Sequence, residues 1–69
     1  MATYKFGKYT QWDGLEYFAI SKKTFFGWSE QKYWKLSFFG THTKEFEEQQ
    51  RLKMMESVER LVKVGNTVL

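Results

Sequence analysis

The sequence predicts an α+β fold, in which a three-stranded antiparallel sheet is followed by one C-terminal helix that packs on one face of the sheet. Two observations lead to this fold. Thirteen of the 14 aromatic residues lie before residue 41, in segments whose apolar residues alternate as in strands with one buried face. The segment after residue 43 instead repeats its aliphatic residues with the spacing of an amphipathic helix. With 69 residues, the chain is expected to form a single domain, residues 1–69.

The three strands are expected over residues 4–12, 15–22 and 32–39. Asp13-Gly14 separates the first two strands and is typical of a type I′ hairpin turn, in which both central residues have a positive φ. Alternation along each strand then selects the face that packs against the helix. The expected core residues of the sheet are Tyr4, Phe6, Trp12, Phe18, Ile20, Trp34, Leu36 and Phe38.

The helix is expected to begin after Thr43, whose hydroxyl suits the N-cap, and to end before Gly65, which suits the left-handed position beyond the last turn. The apolar stripe that faces the sheet is expected to include Met54, Val58 and Leu61. Three further apolar residues lie outside this stripe or at its edge, namely Leu52, Met55 and Val62. A helix that is apolar on more than one side often has a second surface to cover, so this flank is a candidate contact for a partner.

Residues 23–30 are expected to connect the second and third strands, and they place Phe25, Phe26 and Trp28 around Gly27. Three exposed rings are unusual in one loop of a monomer. One interpretation is that a phenylalanine extends the second strand and that Trp28 folds over the end of the sheet. The second is an aromatic lip that anchors a partner, since Trp and Tyr are favoured at binding hot spots. The third is a contact with a membrane surface.

Residues 20–28 read Ile-Ser-Lys-Lys-Thr-Phe-Phe-Gly-Trp, an aromatic strand follows them, and residues 43–48 open the helix with Thr-Lys-Glu-Phe-Glu-Glu. This arrangement resembles short, mostly uncharacterised bacteriophage and bacterial proteins in which a hairpin precedes a helix. The resemblance covers residues 15–63 approximately. It implies a phage accessory protein that acts in the host cytoplasm, and it brings no catalytic residues with it.

Residues for catalysis or metal binding are sparse in this sequence. The chain has no cysteine and one histidine, His42, which is expected at the protein surface or at the helix cap and not as a general base. Its one Asp and scattered Glu residues do not form a recognisable set of metal ligands together with this histidine. We therefore expect no enzyme, no cofactor and no metal.

The distribution of apolar residues also bears on location. No stretch approaches the ~18 apolar residues of a membrane-spanning helix. The first five residues lack the apolar core of a signal peptide. A cytoplasmic protein is therefore expected.

Protein binding is the first function expected from these features, with a host protein, a viral protein or a second copy of the chain as the partner. A homodimer would explain how so small a domain is reinforced without disulfides. The residues expected to contact a protein partner are Phe25, Phe26, Trp28, Leu52, Met55 and Val62.

Binding of single-stranded nucleic acid or RNA is the alternative. The net charge of +3 is concentrated in residues 1–40, which hold six Lys against three acidic residues. On the face of the sheet away from the helix, tyrosines alternate with lysines, and such a face can stack on bases and neutralise phosphates. The residues expected to contact nucleic acid are Lys5, Tyr9, Tyr17, Tyr33 and Lys35.

Overall fold

The structure, a computed structural model that describes residues 1–69, is a four-stranded sheet with one helix packed on one of its faces. The elements in chain order are β1 (Thr3–Thr10), β2 (Leu15–Thr24), β3 (Gly27–Phe38), α1 (Lys44–Lys63) and β4 (Thr67–Val68). The strand order is β3-β2-β1-β4, with β4 parallel to β1 and the other neighbours antiparallel. The α+β prediction is confirmed, but the sheet is mixed and has four strands instead of three.

The fourth strand joins the two ends of the chain. Gly65 follows the helix with a φ of 93°, and the reversed chain then runs beside β1. The Asn66 side chain accepts a hydrogen bond from the Ala2 backbone N–H at 3.0 Å, and the Thr67 N–H donates to the Ala2 carbonyl at 2.9 Å. A two-residue strand is too short to show alternation, so the sequence pattern did not predict it.

Both hairpins are closed by a two-residue turn followed by a glycine. In the first, Gly14 has a φ of 90° but Asp13 does not have a positive φ, so the predicted type I′ turn is wrong. The turn instead runs from Gln11 to Gly14, where the Gly14 N–H donates to the Gln11 carbonyl at 3.0 Å. Trp12 therefore lies in the turn and is 95 % exposed, which corrects its assignment to the core.

The β2–β3 hairpin is longer than predicted. Residues 23, 24 and 27–30 belong to the strands, and only Phe25 and Phe26 form the turn. Gly27 takes a φ of 122°, a conformation that residues with side chains rarely adopt. The predicted connecting loop is thus the far end of an antiparallel ribbon.

The core lies between the helix and the centre of the sheet. Its five buried side chains are Phe18, Ile20, Leu36, Met54 and Val58. Six partly buried residues pack against them, namely Tyr4, Phe6, Trp34, Met55, Leu61 and Val68. Most of the predicted core is confirmed, including the helix stripe that faces the sheet.

Phe38 is an exception, because a β-bulge moves it to the other face. The register of β2 against β3 shifts between Leu15 and Tyr17. Phe38 pairs with Leu15, and residues that pair across strands share a face of the sheet. Phe38 therefore lies with Tyr17 on the face away from the helix, where it is half-exposed.

The predicted helix caps are confirmed. The Thr43 hydroxyl accepts a hydrogen bond from the Phe46 N–H at 3.1 Å, and this satisfies one of the free donors of the first turn. At the other end, the Gly65 N–H donates to the Val62 carbonyl. These caps fix both ends of the helix, and with them the position of its apolar stripe over the sheet.

We expect Leu36→Ala to lower the free energy of unfolding by about 2–5 kcal/mol, because it leaves a cavity in a core of five buried side chains. Phe38→Ala is the matched control from the same strand and should cost about 1 kcal/mol or less, since its ring is half-exposed. Urea denaturation followed by circular dichroism measures both values. Equal losses in the two variants would contradict the assignment of faces.

Candidate functional site

The face of the sheet away from the helix carries three tyrosines on three adjacent strands. Tyr9 of β1 pairs directly with Tyr17 of β2, and their ring centroids lie 5.9 Å apart. Tyr33 of β3 meets Tyr17 edge to face at 6.4 Å. The three predicted tyrosines thus form one continuous row, Tyr9-Tyr17-Tyr33, which we call the tyrosine row. We call the face of the sheet that carries it, away from the helix, the open face.

Small residues lie among these rings. A Cβ atom placed on Gly7 would lie 3.6 Å from the Tyr9 hydroxyl oxygen, so this ring lies close to the backbone at Gly7. Ala19 pairs with Gly7 and with Tyr33, and it is 0 % exposed although no helix covers this face. The Tyr9 ring therefore lies along its own strand, close to the sheet.

The exposure of the tyrosines differs along the row. Tyr33 is the most accessible at 55 %, whereas Tyr9 and Tyr17 are partly buried. Burial, together with the nearby carboxylate of Glu30, raises the pKa of the Tyr17 hydroxyl above its usual value of 10.0. The hydroxyl at the centre of the row therefore stays protonated and uncharged at neutral pH.

Lysines border the tyrosine row together with one further ring. Trp28 pairs with Lys23 and so lies on the open face. Its ring centroid is 4.6 Å from the Lys5 Nζ and 5.7 Å from the Lys23 Nζ, within the range of cation–π contacts. Lys35 pairs with Tyr17 at the centre of the row. The open face is therefore both aromatic and positively charged.

The other predicted contact residues do not join this surface. Phe25 and Phe26 lie at the tip of the β2–β3 hairpin, where each is 95 % exposed. On the helix, Leu52 and Val62 are half-exposed, while Met55 packs against the core and is only partly accessible. The predicted protein-binding set is therefore divided among the open face, the hairpin tip and the outer side of the helix.

A polar cluster at the start of the helix was not predicted. His42 was expected at the surface or at the cap, yet its side chain is only 7 % exposed. Its Nε2 lies 2.6 Å from a Glu47 carboxylate oxygen, and its Nδ1 lies 2.7 Å from the Ser37 hydroxyl. Lys8 completes the cluster, with its Nζ 2.9 Å from Glu47 and 3.2 Å from Glu16. Nothing in the spacing of these residues along the chain indicates that they meet.

The chemistry open to this cluster is limited by Lys8. Ligand atoms of Glu16, His42 and Glu47 lie within 4.8 Å of one another, a grouping that could hold a metal ion and that the sequence reasoning missed. The Lys8 ammonium, however, contacts both carboxylates and takes the place of such a cation. Ser37, His42 and Glu47 are also linked like a nucleophile, base and acid, but Ser37 does not line the adjacent cavity. The arrangement is best described as an electrostatic clamp that joins the sheet to the first turn of the helix.

Comparisons of this chain with protein-family models, with curated proteins and with solved structures found no match. The resemblance to phage and bacterial hairpin-plus-helix proteins therefore stays a prediction. The structure contains no helix that is both long and apolar enough to cross a membrane.

The clamp predicts a dependence of stability on pH. Hydrogen bonds, first from His42 and then from Lys8, hold the pKa of Glu47 below its usual value of 4.5. The stabilisation from ionised Glu47 is therefore complete above this value and is lost as the pH falls through the lowered pKa. In Glu47→Gln, the urea midpoint should be lower at neutral pH and should fall less steeply on acidification.

Glu59→Gln is the charge-matched control on the same helix, since Glu59 makes no ion pair. This variant should keep the acid dependence of the unmodified protein. An unchanged acid dependence in Glu47→Gln would show that the clamp does not contribute to stability.

Proposed function

We propose that the protein is a non-enzymatic binding protein that holds single-stranded nucleic acid on its open face. The observation that supports this function is the continuous tyrosine row across three strands, bordered by lysines. Bases stack on the tyrosine rings, and the phosphates between them lie near Lys5, Lys23 and Lys35. Stacking on aromatic rings tolerates any base, so this mode of binding requires no particular sequence.

The spacing of the row favours a single strand over a duplex. Neighbouring centroids are 5.9 and 6.4 Å apart, whereas bases in a duplex strand rise by about 3.4 Å. A strand whose successive bases contact successive rings must therefore be unstacked. A duplex holds its bases stacked and paired, so it cannot place one base on each ring.

The charge of the open face sets the expected strength of electrostatic binding. Three lysines face the ligand, and each phosphate that is neutralised contributes about −0.7 to the slope of log affinity against log salt for a single strand. The expected slope is therefore about −2. The protein should therefore bind more tightly at low salt. Most of the affinity that does not depend on salt comes from stacking.

We expect Tyr33→Ala and Lys35→Ala to weaken binding in different ways. Loss of the exposed ring should cost about 1–3 kcal/mol and leave the salt slope unchanged, because stacking releases no counterions. Loss of the lysine removes roughly one phosphate contact, so the salt slope should become less negative by about 0.7. Fluorescence anisotropy with a labelled oligonucleotide across a salt series measures both quantities.

Lys53→Ala supplies the control, since it removes the same charge from an exposed position on the helix, on the other side of the sheet. It should change the slope much less than Lys35→Ala does. Absence of any affinity for single-stranded DNA and RNA at low salt would overturn the proposed function.

Self-association through the helix is a second candidate, favoured by the half-exposed side chains of Leu52 and Val62. Two antiparallel copies of the helix would bury these residues across a twofold axis, where the same patch serves both chains. Glu59 lies on the same flank of the helical wheel, so the apolar patch is interrupted. A dimer held by this contact would dissociate in about the micromolar range.

Leu52→Glu should make such a dimer monomeric without changing its helix content, because the side chain is outside the core. Gln49→Glu introduces the same charge at the edge of the flank, one turn before Leu52, and should weaken the dimer much less. Sedimentation velocity and circular dichroism measure the two properties. A monomeric unmodified protein at high micromolar concentration would exclude this candidate.

A further inference from the structure

The β2–β3 hairpin extends beyond the rest of the sheet. The pairing of β1 with β2 ends at Tyr4 and Lys22, whereas β2 continues to Thr24 before the turn. At about 3.3 Å per residue, the turn lies roughly 10 Å beyond the last residue that β1 covers. Phe25 and Phe26 form this turn, and both rings are almost fully exposed. An exposed pair of phenylalanines at a projecting end is the pattern of a contact site.

The backbone of the hairpin holds these rings in a defined position. Strand pairing continues to the last residues before the turn, Thr24 and Gly27. The Thr24 hydroxyl donates to the Gly27 carbonyl at 2.9 Å and closes the turn. The two rings contact each other edge to face, with centroids 5.1 Å apart. The core is built from other residues, so the rings are not required for folding.

The tip is continuous with the proposed binding surface. Along β3, Trp28 lies between the turn and Tyr33 and faces the same side as the tyrosine row. Lys22 and Lys23 follow each other at the base of the projecting segment, so alternation places one on each face of the ribbon. A nucleic acid that reaches the tip therefore meets positive charge on both faces.

We propose that the tip recognises the junction at which a single strand leaves a duplex. This proposal rests on the proposed function. A phenylalanine ring stacks on the terminal base pair of the duplex. Only a terminal pair has an apolar face that no neighbouring base pair covers. The unpaired strand runs past Trp28 and Lys23 onto the tyrosine row, and phosphates of the duplex approach Lys22 on the other face of the ribbon. The preferred ligand is thus a duplex with a single-stranded overhang.

Fluorescence anisotropy tests this preference with four labelled probes. They are a single strand of about twelve nucleotides, the same strand as an overhang on a short duplex in either polarity, and the blunt duplex alone. Stacking of one ring corresponds to about five- to a hundredfold in affinity, so the unmodified protein should bind one overhang probe more tightly than the strand by such a factor. The double variant Phe25→Ser/Phe26→Ser should lose this ratio and keep its affinity for the strand.

Trp12→Ser is the matched control, because Trp12 is equally exposed in the turn at the opposite end of the sheet. It should keep the preference for the overhang. Equal affinity for strand and overhang, or a preference that persists in the double variant, overturns the junction proposal while leaving the proposed function intact. Absence of binding to the single strand overturns both.

Two exposed phenylalanines beside two lysines could also contact an anionic membrane surface. Binding to vesicles of phosphatidylserine and phosphatidylcholine tests for this partner. The junction proposal expects no sedimentation of the protein with these vesicles. Sedimentation that depends on Phe25 and Phe26, with no preference for the overhang, would overturn the proposal in favour of a membrane contact.

Discussion

The contact between one helix and one face of the sheet is the constraint on which the rest of this structure depends. Five buried side chains form the core, and Ile20 at its centre is the most fully enclosed of them. A chain of 69 residues has a single long helix to place, so only one face of the sheet can be covered. The opposite face of the sheet is therefore exposed to solvent. The candidate binding surface exists because the core is one layer deep.

The open face shows how a sheet can carry large aromatic side chains without a covering layer. Tyrosine suits this position because its ring is apolar and its hydroxyl remains in contact with water. Gly7 leaves space for the Tyr9 ring to lie close to the backbone of the same strand. Lys5 and Lys23 contribute cation–π contacts at Trp28. The same features that keep this face hydrated also make it able to stack on bases.

Polar contacts at the two ends of the helix complement the thin core. The Lys8–Glu47–His42 clamp fixes the first turn of the helix, where the partial positive charge of the helix also favours Glu47. At the other end, Asn66 and β4 tie the chain termini together. Both ends of the helix are thus attached to β1.

Much of this protein follows from local sequence. Alternation in residues 15–22 placed Phe18 and Ile20 in the core, and helical periodicity placed Met54 and Val58 opposite them. Thr43 and Gly65 indicated where the helix begins and ends. The Thr43 hydroxyl and the positive φ of Gly65 both act on residues close by in the chain. The tyrosines of the open face were also predicted, since alternation separates the two faces of a strand. These features all depend on contacts within a few residues or on a period of two or 3.6.

The remaining features depend on how the strands pair and where each of them ends. Register shifts between Leu15 and Tyr17 and between Ile20 and Ser21 moved Phe38 and Trp28 to the open face, and a single extra residue in a strand leaves no mark on composition. The clamp joins Lys8 of β1 to Glu47 of the helix, which lie 39 positions apart in sequence, so no spacing rule predicts it. The projection of Phe25 and Phe26 depends on where the neighbouring strand stops. The sequence by itself determined which residues are apolar and how they alternate, whereas the pairing of the strands decided which surface each of them reaches.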